Sequence, residues 1–239
     1  MSRRFSDALF TRAALDGSNP VPSESPAREP GPFEIYRPEG YEPNYAYPLV
    51  IWFHDAGGNE RELHAMMSDV TDRNALGLAL RGERVLRSGG FDWLGGDRPR
   101  RRQRLLAAMR ELRSEYHIHT ERIVLAGQGS GAGAAARVFW EQPEWYGGLA
   151  LFDVGWKSFP IDLIKRQEID LIKRQELVGK PVLLDLPTAS LGDGREIASQ
   201  MRATGLDVTY EHGRAGAIQY KTCRALDRWI LGAVCGVPV

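Results

Sequence analysis

Apolar runs typical of buried strands alternate with helix-like segments along most of this 239-residue chain. Of all the features of the sequence, this alternation restricts the possible folds most strongly. The predicted strands cover residues 48–53, 75–80, 122–126, 148–152, 181–186 and 207–210. The predicted helices cover residues 60–74, 98–116, 134–140, 195–203 and 222–234. The first strand is an unbroken apolar run, which is typical of a parallel strand covered on both faces. The pattern predicts an α/β fold with three layers, a doubly wound and mostly parallel sheet between helices.

The two ends of the chain differ in composition. Residues 1–32 contain several prolines and a Gly-Ser-Asn turn, which predicts a flexible N-terminal arm. Residues 33–239 have a suitable length for one domain. Cys223 and Cys235 lie twelve residues apart, about 18 Å along a common helix at 1.5 Å per residue, which is too far for a disulfide. The sequence has no Cys/His cluster with metal-ligand spacing, so we expect no metal centre.

The charge balance restricts the partners. Lys and Arg number 31, and Asp and Glu also number 31, which argues against nucleic acid or an anionic membrane surface as a partner. No run of 18 apolar residues and no signal-peptide pattern occurs, so we expect a soluble cytoplasmic protein without a membrane partner. The arginine-rich run at 98–104 predicts a solvated helix start, and the alternative is a patch for an anion or a protein partner.

An octapeptide at residues 161–168 is repeated without change at 169–176. Its apolar residues fall on about half of a helix circumference, which predicts a lengthened surface helix. The alternative is a helix that binds a partner, and a homo-oligomer is one such possibility.

Two unusual loops follow predicted strands, where doubly wound sheets form their sites. His54-Asp55-Ala56-Gly57-Gly58-Asn59 follows the first strand, and the glycine-rich turn at 127–133 follows the third. With the order of strands and helices around them, these loops resemble the α/β-hydrolase superfamily. The resemblance is to the small carboxylesterase/phospholipase-like and poly-ester depolymerase-like esterases, and it covers residues 33–235.

The resemblance implies a hydrolase of carboxylic esters that needs no cofactor. Its nucleophilic Ser lies in a strained Gly-x-Ser-x-Gly turn, and the backbone N–H groups of Ala56 and Ser130 correspond to its oxyanion hole. In this chain Gly129 stands at the nucleophile position. Because glycine adopts unusual backbone angles without a Cβ penalty, we expect the turn to keep its shape and the Ser130 hydroxyl to point elsewhere.

The other catalytic positions also depart from the family pattern. The acid is expected near Ser190, with Asp193 three residues later. The base is expected near Gly216, where no His stands, and His212 is the nearest. Asp55 replaces the usual Gly of the first loop, and a carboxylate there opposes a developing oxyanion. The alternative role for Asp55 is a turn residue that caps the following segment.

These departures predict a pseudo-hydrolase that binds a small ester-like ligand or a protein partner. The candidate ligand contacts are His54, Asp55, Gly57, Gly58 and Trp156.

Two other functions stay open. One is an active serine carboxylesterase with a displaced triad of Ser130, His212 and Asp193, with Asp185 as the other candidate acid, in the chain order Ser, acid, His. The lesser one is nucleotide binding at the 127–132 turn, with phosphate on the following helix and Asp153 ending the next strand.

Overall fold

The computed structural model describes residues 31–71, 73–155, 159–160, 175–187, 191–213 and 220–237. The strands are β1 (Phe33–Tyr36), β2 (Tyr47–Phe53), β3 (Leu76–Leu80), β4 (Arg84–Val85), β5 (Phe91–Asp92), β6 (Ile118–Gln128), β7 (Gly148–Phe152), β8 (Pro181–Pro187) and β9 (Asp207–Gly213). The main helices are α1 (Glu62–Val70), α2 (Arg98–Glu115), α3 (Ser130–Glu141), α4 (Leu191–Ala203) and α5 (Tyr220–Trp229).

Among these residues, seven strands form one sheet in the order β1-β3-β2-β6-β7-β8-β9. Strand β1 pairs antiparallel with β3, and every other pairing in the sheet is parallel. All seven residues of β2 are buried, as its unbroken apolar run predicts. The carboxyl ends of β2 and β6 lie side by side, because Phe53 pairs with Gly127. The two glycine-rich loops therefore leave the sheet next to each other.

Helices cover both faces of the sheet. Helices α1 and α5 share an apolar cluster with one face, including Trp52, Met67 and Trp229. Helices α2, α3 and α4 contribute to the larger cluster on the other face, including Leu105, Phe139 and Met201. The predicted three-layer, doubly wound α/β architecture is confirmed.

The ends of several helices differ from their predicted positions. Helix α1 ends at Val70 rather than 74, because the Thr71 hydroxyl accepts a hydrogen bond from the Asn74 N–H at 2.9 Å and starts a turn. Helix α3 begins at Ser130, four residues early, because tight packing against β2 overrides the low helix propensity of its glycines. The last helix changes at Ile230 into a π-helical turn that ends at Val234.

Two elements were not predicted. Strand β1 is one, and the other is a hairpin in which β4 pairs antiparallel with β5. The arginine run does begin a helix at residue 98, but it is not wholly solvated. Arg101 is 5% exposed and donates two hydrogen bonds of 3.0 Å to the Glu83 carboxylate. This pair holds α2 beside the hairpin.

Several predictions fall outside the described residues: the arm up to residue 30, Trp156, Ser190, Gly216 and the octapeptide repeat up to residue 174. Cys223 and Cys235 are both free thiols. Among the described helices, none combines the length and the apolar character needed to span a membrane. No group of three or more potential ligands for a metal ion occurs in the described part of the chain.

Candidate functional site

The turn between β6 and α3 is very sharp. Gly129 has φ +53° and ψ −116°, a backbone conformation that residues with a side chain rarely adopt. Its N–H donates a hydrogen bond to the Phe152 carbonyl at 2.9 Å. A Cβ on Gly127 would lie 2.6 Å from the Gly131 carbonyl oxygen. A Cβ on Gly131 would overlap the carbonyl oxygens of Phe53 and His54. The three glycines therefore permit the turn and bring the start of α3 against the end of β2.

The loop after β2 is held by the β4–β5 hairpin. The Gly57 N–H donates to the Phe91 carbonyl, and the Phe91 N–H donates to the Gly58 carbonyl, both at 2.9 Å. A Cβ on Gly90 would lie 2.8 Å from Gly57 Cα and closer still to its carbonyl group, so this approach needs glycine. The hairpin thus fixes the position of the loop backbone.

His54 supports the loop from inside. Its side chain is fully buried, and its Nε2 accepts a hydrogen bond from the Gly82 N–H at 2.9 Å. Its Nδ1 lies 2.7 Å from the Asp55 carbonyl oxygen, so the Nδ1–H tautomer satisfies both contacts. Burial lowers the pKa of His54 despite the opposing effect of the hydrogen bond with Asp55. Since this imidazole is enclosed and neutral, it fixes the loop and does not face a ligand.

The Asp55 carboxylate lies between the two loops. Its Oδ1 accepts hydrogen bonds from the Ala56 N–H at 2.6 Å and from the Ser130 N–H at 2.9 Å. These are the two N–H groups that the family resemblance assigns to an oxyanion hole, and here they converge on one oxygen of the protein itself. Asp55 therefore has a larger part than capping a local turn, because it joins β2 to a helix 75 residues away.

The same carboxylate also fills the space beside Gly129. A Cβ on Gly129 would lie no more than 2.6 Å from either carboxylate oxygen of Asp55. Non-bonded atoms cannot approach so closely, so a side chain at position 129 and the present position of Asp55 exclude each other. A single carboxylate thus occupies the space beside Gly129 and accepts hydrogen bonds from both N–H groups.

The Ser130 side chain lies on the side of the hairpin. Ser130 is 7% exposed, and its hydroxyl interacts with the Asp92 carboxylate, although no described residue forms a well-aligned hydrogen bond with its Oγ. Burial by itself raises the pKa of Asp92. Polar interactions with Ser130, Arg84 and the backbone at Trp93 and Leu94 outweigh this effect and lower the pKa of Asp92. Asp92 is therefore a buried anion beside the start of α3, and its carboxylate accepts hydrogen bonds from the Arg84 side chain and the Trp93 N–H.

The other candidate residues belong to more distant strands and helices. Asp185 lies on β8 and is 8% exposed, and Asp193 lies in the first turn of α4. His212 lies within β9, where it pairs with Leu186. Strands β7 and β8 separate β9 from β6, so three strand spacings put the His212 backbone about 14 Å from the end of β6. The displaced triad of Ser130, His212 and Asp193 stays a prediction.

The sequence did not predict the residues that support the hairpin. Trp93 Nε1 donates to the His54 carbonyl at 2.9 Å, and the Arg101 guanidinium lies 5.4 Å from the Trp93 ring centroid. Trp93 is 3% exposed and connects α2 to the loop after β2. The one local signal for the hairpin was the pair Gly89-Gly90, which is typical of a tight turn between strands.

Comparisons with known proteins bear on the fold. The sequence matches no model of a protein family, and no curated protein matches it. Solved structures do match. A ferulic acid esterase has a TM-score of 0.66 and 12% identity, with 85% of this chain and 91% of that chain covered. A carboxylesterase from Bacillus cereus has a TM-score of 0.60 and 19% identity over 95% of this chain and all of that chain.

A third match, the structure of YahD with malic acid, has a TM-score of 0.59 and 15% identity over 84% of this chain and 98% of that chain. At such low identities the likeness concerns architecture alone. The chain shares with these structures a three-layer α/β-hydrolase fold.

Proposed function

We propose that this protein is a pseudo-hydrolase, an esterase-like fold that binds a small ester-like ligand or a protein partner without hydrolysing it. The observation that carries the proposal is the position of Asp55, whose Oδ1 accepts both N–H groups of the oxyanion hole. Ester hydrolysis through a serine requires these donors to be free when negative charge develops on the substrate oxygen. Here they already bind a negative charge, and a second one beside it is repelled.

The surrounding residues support the same proposal. Gly129 has no side chain that could attack an ester, and the only hydroxyl at the start of α3, that of Ser130, is buried beside Asp92. A nucleophilic hydroxyl needs a base within hydrogen-bond reach and access to the substrate. Ser130 is only 7% exposed and so lacks that access. The lesser alternative, nucleotide binding, needs phosphate at the start of α3, where Asp55 now lies.

The test is labelling with a fluorophosphonate probe, together with hydrolysis of a short-chain nitrophenyl ester. We compare the wild type with Ser130→Ala and with Ser114→Ala, a matched control on the exposed face of α2. We expect no labelling and no turnover above the rate of heat-denatured protein. Turnover that disappears in Ser130→Ala and persists in Ser114→Ala would refute the proposal and favour the displaced triad with His212 and Asp193.

A further inference from the structure

The two N–H groups that bind Asp55 are held by contacts in which the Asp55 side chain takes no part. The Ala56 N–H belongs to a loop that hydrogen bonds pin to the hairpin through Gly57 and Gly58. The Ser130 N–H belongs to α3, which is fixed against β2 by the close approach of Gly131 to Phe53. The pair of donors is therefore preorganised, and we expect it to persist when the Asp55 carboxylate is absent.

The geometry of the pair selects an anionic oxygen. Two backbone donors converge on one oxygen at 2.6 and 2.9 Å, distances typical of hydrogen bonds to a charged acceptor. The twelve-residue helix α3 adds the positive end of its dipole at the same point. The missing Cβ at Gly129 leaves room for the whole carboxylate group and not only for its bound oxygen. The structure shows a carboxylate, that of Asp55, bound in this space, so a carboxylate is the ligand group that the space fits.

Asp55 can leave this position without a change in the backbone. Its side chain is half-buried, and its neighbours Ala56 and Gly57 are exposed. Because the hairpin fixes the loop backbone, we expect rotation about the Asp55 side-chain bonds, and not a movement of the loop, to carry the carboxylate into solvent. The opening would face solvent through the exposed residues of the loop.

We propose that the Ala56 and Ser130 N–H groups form a receptor for the carboxylate of a small-molecule ligand, with Asp55 as its intramolecular competitor. This inference rests on the proposed function, because it names the chemistry that a binding protein with this site would recognise. A tethered carboxylate acts at a high effective concentration. Free carboxylates therefore bind the wild type weakly, and removal of the Asp55 side chain strengthens their binding.

The experiment uses acetate as the probe and thermal unfolding as the readout. Wild type, Asp55→Ala and Asp55→Asn are unfolded in sodium acetate and in sodium chloride of equal ionic strength. Asp55→Asn is the matched control, because its amide oxygen still accepts both N–H groups. For Asp55→Ala, acetate at ten times its dissociation constant should raise the unfolding midpoint by about 4 °C over chloride. Wild type and Asp55→Asn should unfold at the same temperature in both salts.

Each outcome decides the inference. If Asp55→Ala is unfolded in chloride, acetate should restore the folded far-UV spectrum and chloride should not. The inference is overturned if acetate neither stabilises nor refolds Asp55→Ala, or if it stabilises all three proteins equally, since it then acts elsewhere. At equal concentration neutral acetamide should stabilise Asp55→Ala less than acetate does, because it lacks the negative charge, and equal stabilisation by the two would also overturn the inference. Ester turnover by the wild type would refute the proposed function and leave the acetate result to be judged separately.

Discussion

The exclusion between position 129 and Asp55 makes Gly129→Ser the most informative substitution. A Cβ at this position would lie no more than 2.6 Å from either Asp55 carboxylate oxygen, so the carboxylate must leave. Its departure removes two hydrogen bonds to a charged acceptor, about 1 kcal/mol each because water reaches the half-buried group. A side chain at φ +53° and ψ −116° adds strain of about 1–3 kcal/mol. We expect a loss of about 3–5 kcal/mol in the free energy of unfolding.

The two contributions are separated by a double-mutant cycle with Asp55→Ala. The single substitution Asp55→Ala should cost about 2 kcal/mol, because it removes the same two hydrogen bonds. In the Asp55→Ala background only the strain remains, so Gly129→Ser should cost about 2 kcal/mol less than in the wild type. The cycle therefore predicts a coupling energy of about 2 kcal/mol between the two positions.

The assay is urea unfolding of the four proteins, followed by far-UV circular dichroism at pH 7.5. The matched control is Gly89→Ser in the hairpin turn, where φ is +96° and no atom lies within 4 Å of the added Cβ. This control carries backbone strain without a clash, so its cost should be the same with and without Asp55. Additivity of Gly129→Ser and Asp55→Ala within about 0.5 kcal/mol would show that the carboxylate does not occupy the space beside Gly129.

Three further predictions concern the support of the site. Burial lowers the pKa of His54, so below about pH 6.5 the unfolded chain binds a proton there that the folded chain does not. The free energy of unfolding should therefore decrease as the pH falls from about 6.5 towards the lowered pKa. The urea midpoint of His54→Gln should depend less on pH than that of the wild type. Arg101→Met should cost about 3–5 kcal/mol by leaving Glu83 buried without its cation, and adding Glu83→Leu should recover part of the loss in the same assay. Gly131→Ala should cost at least about 3 kcal/mol, whereas Gly155→Ala, with open space around its Cβ, should change stability by about 0.5 kcal/mol or less in thermal unfolding.

The sheet could be predicted from the sequence because its central strands are buried on both faces. The run that forms β2 is apolar at six consecutive positions, and only a doubly covered strand needs that pattern. The hairpin gives no such signal. Strand β4 has two residues, Arg84 and Val85, and both are exposed. Its position depends on backbone contacts with the loop after β2, which no periodicity in either segment records.

The candidate site divides in a similar way. The turn at Gly129 follows from local spacing, because a strand, a glycine-rich segment and a helix determine its geometry together, whereas the pairing of the Ala56 and Ser130 N–H groups came from the family resemblance. The side chains are a different matter. Asp55 could be read as a local cap, and only the folded chain brings it to a helix 75 residues away. From its residue type and its position in the loop, His54 could be read as a ligand contact. Its burial depends on Gly82 and Trp93, which come from other parts of the chain.

The position of Asp55 also limits how such a site could have arisen. With any side chain at position 129, the carboxylate has no room, so aspartate at 55 gives this arrangement only when 129 is glycine. Conversely, a glycine at 129 with no acid at 55 leaves two converging N–H groups to solvent. The present pair satisfies both donors, and glycine adopts the φ of +53° at position 129 without the strain that a side chain would add. Glycine at 129 and aspartate at 55 are therefore one structural unit, in which the carboxylate fills the space beside the glycine and accepts hydrogen bonds from both N–H groups.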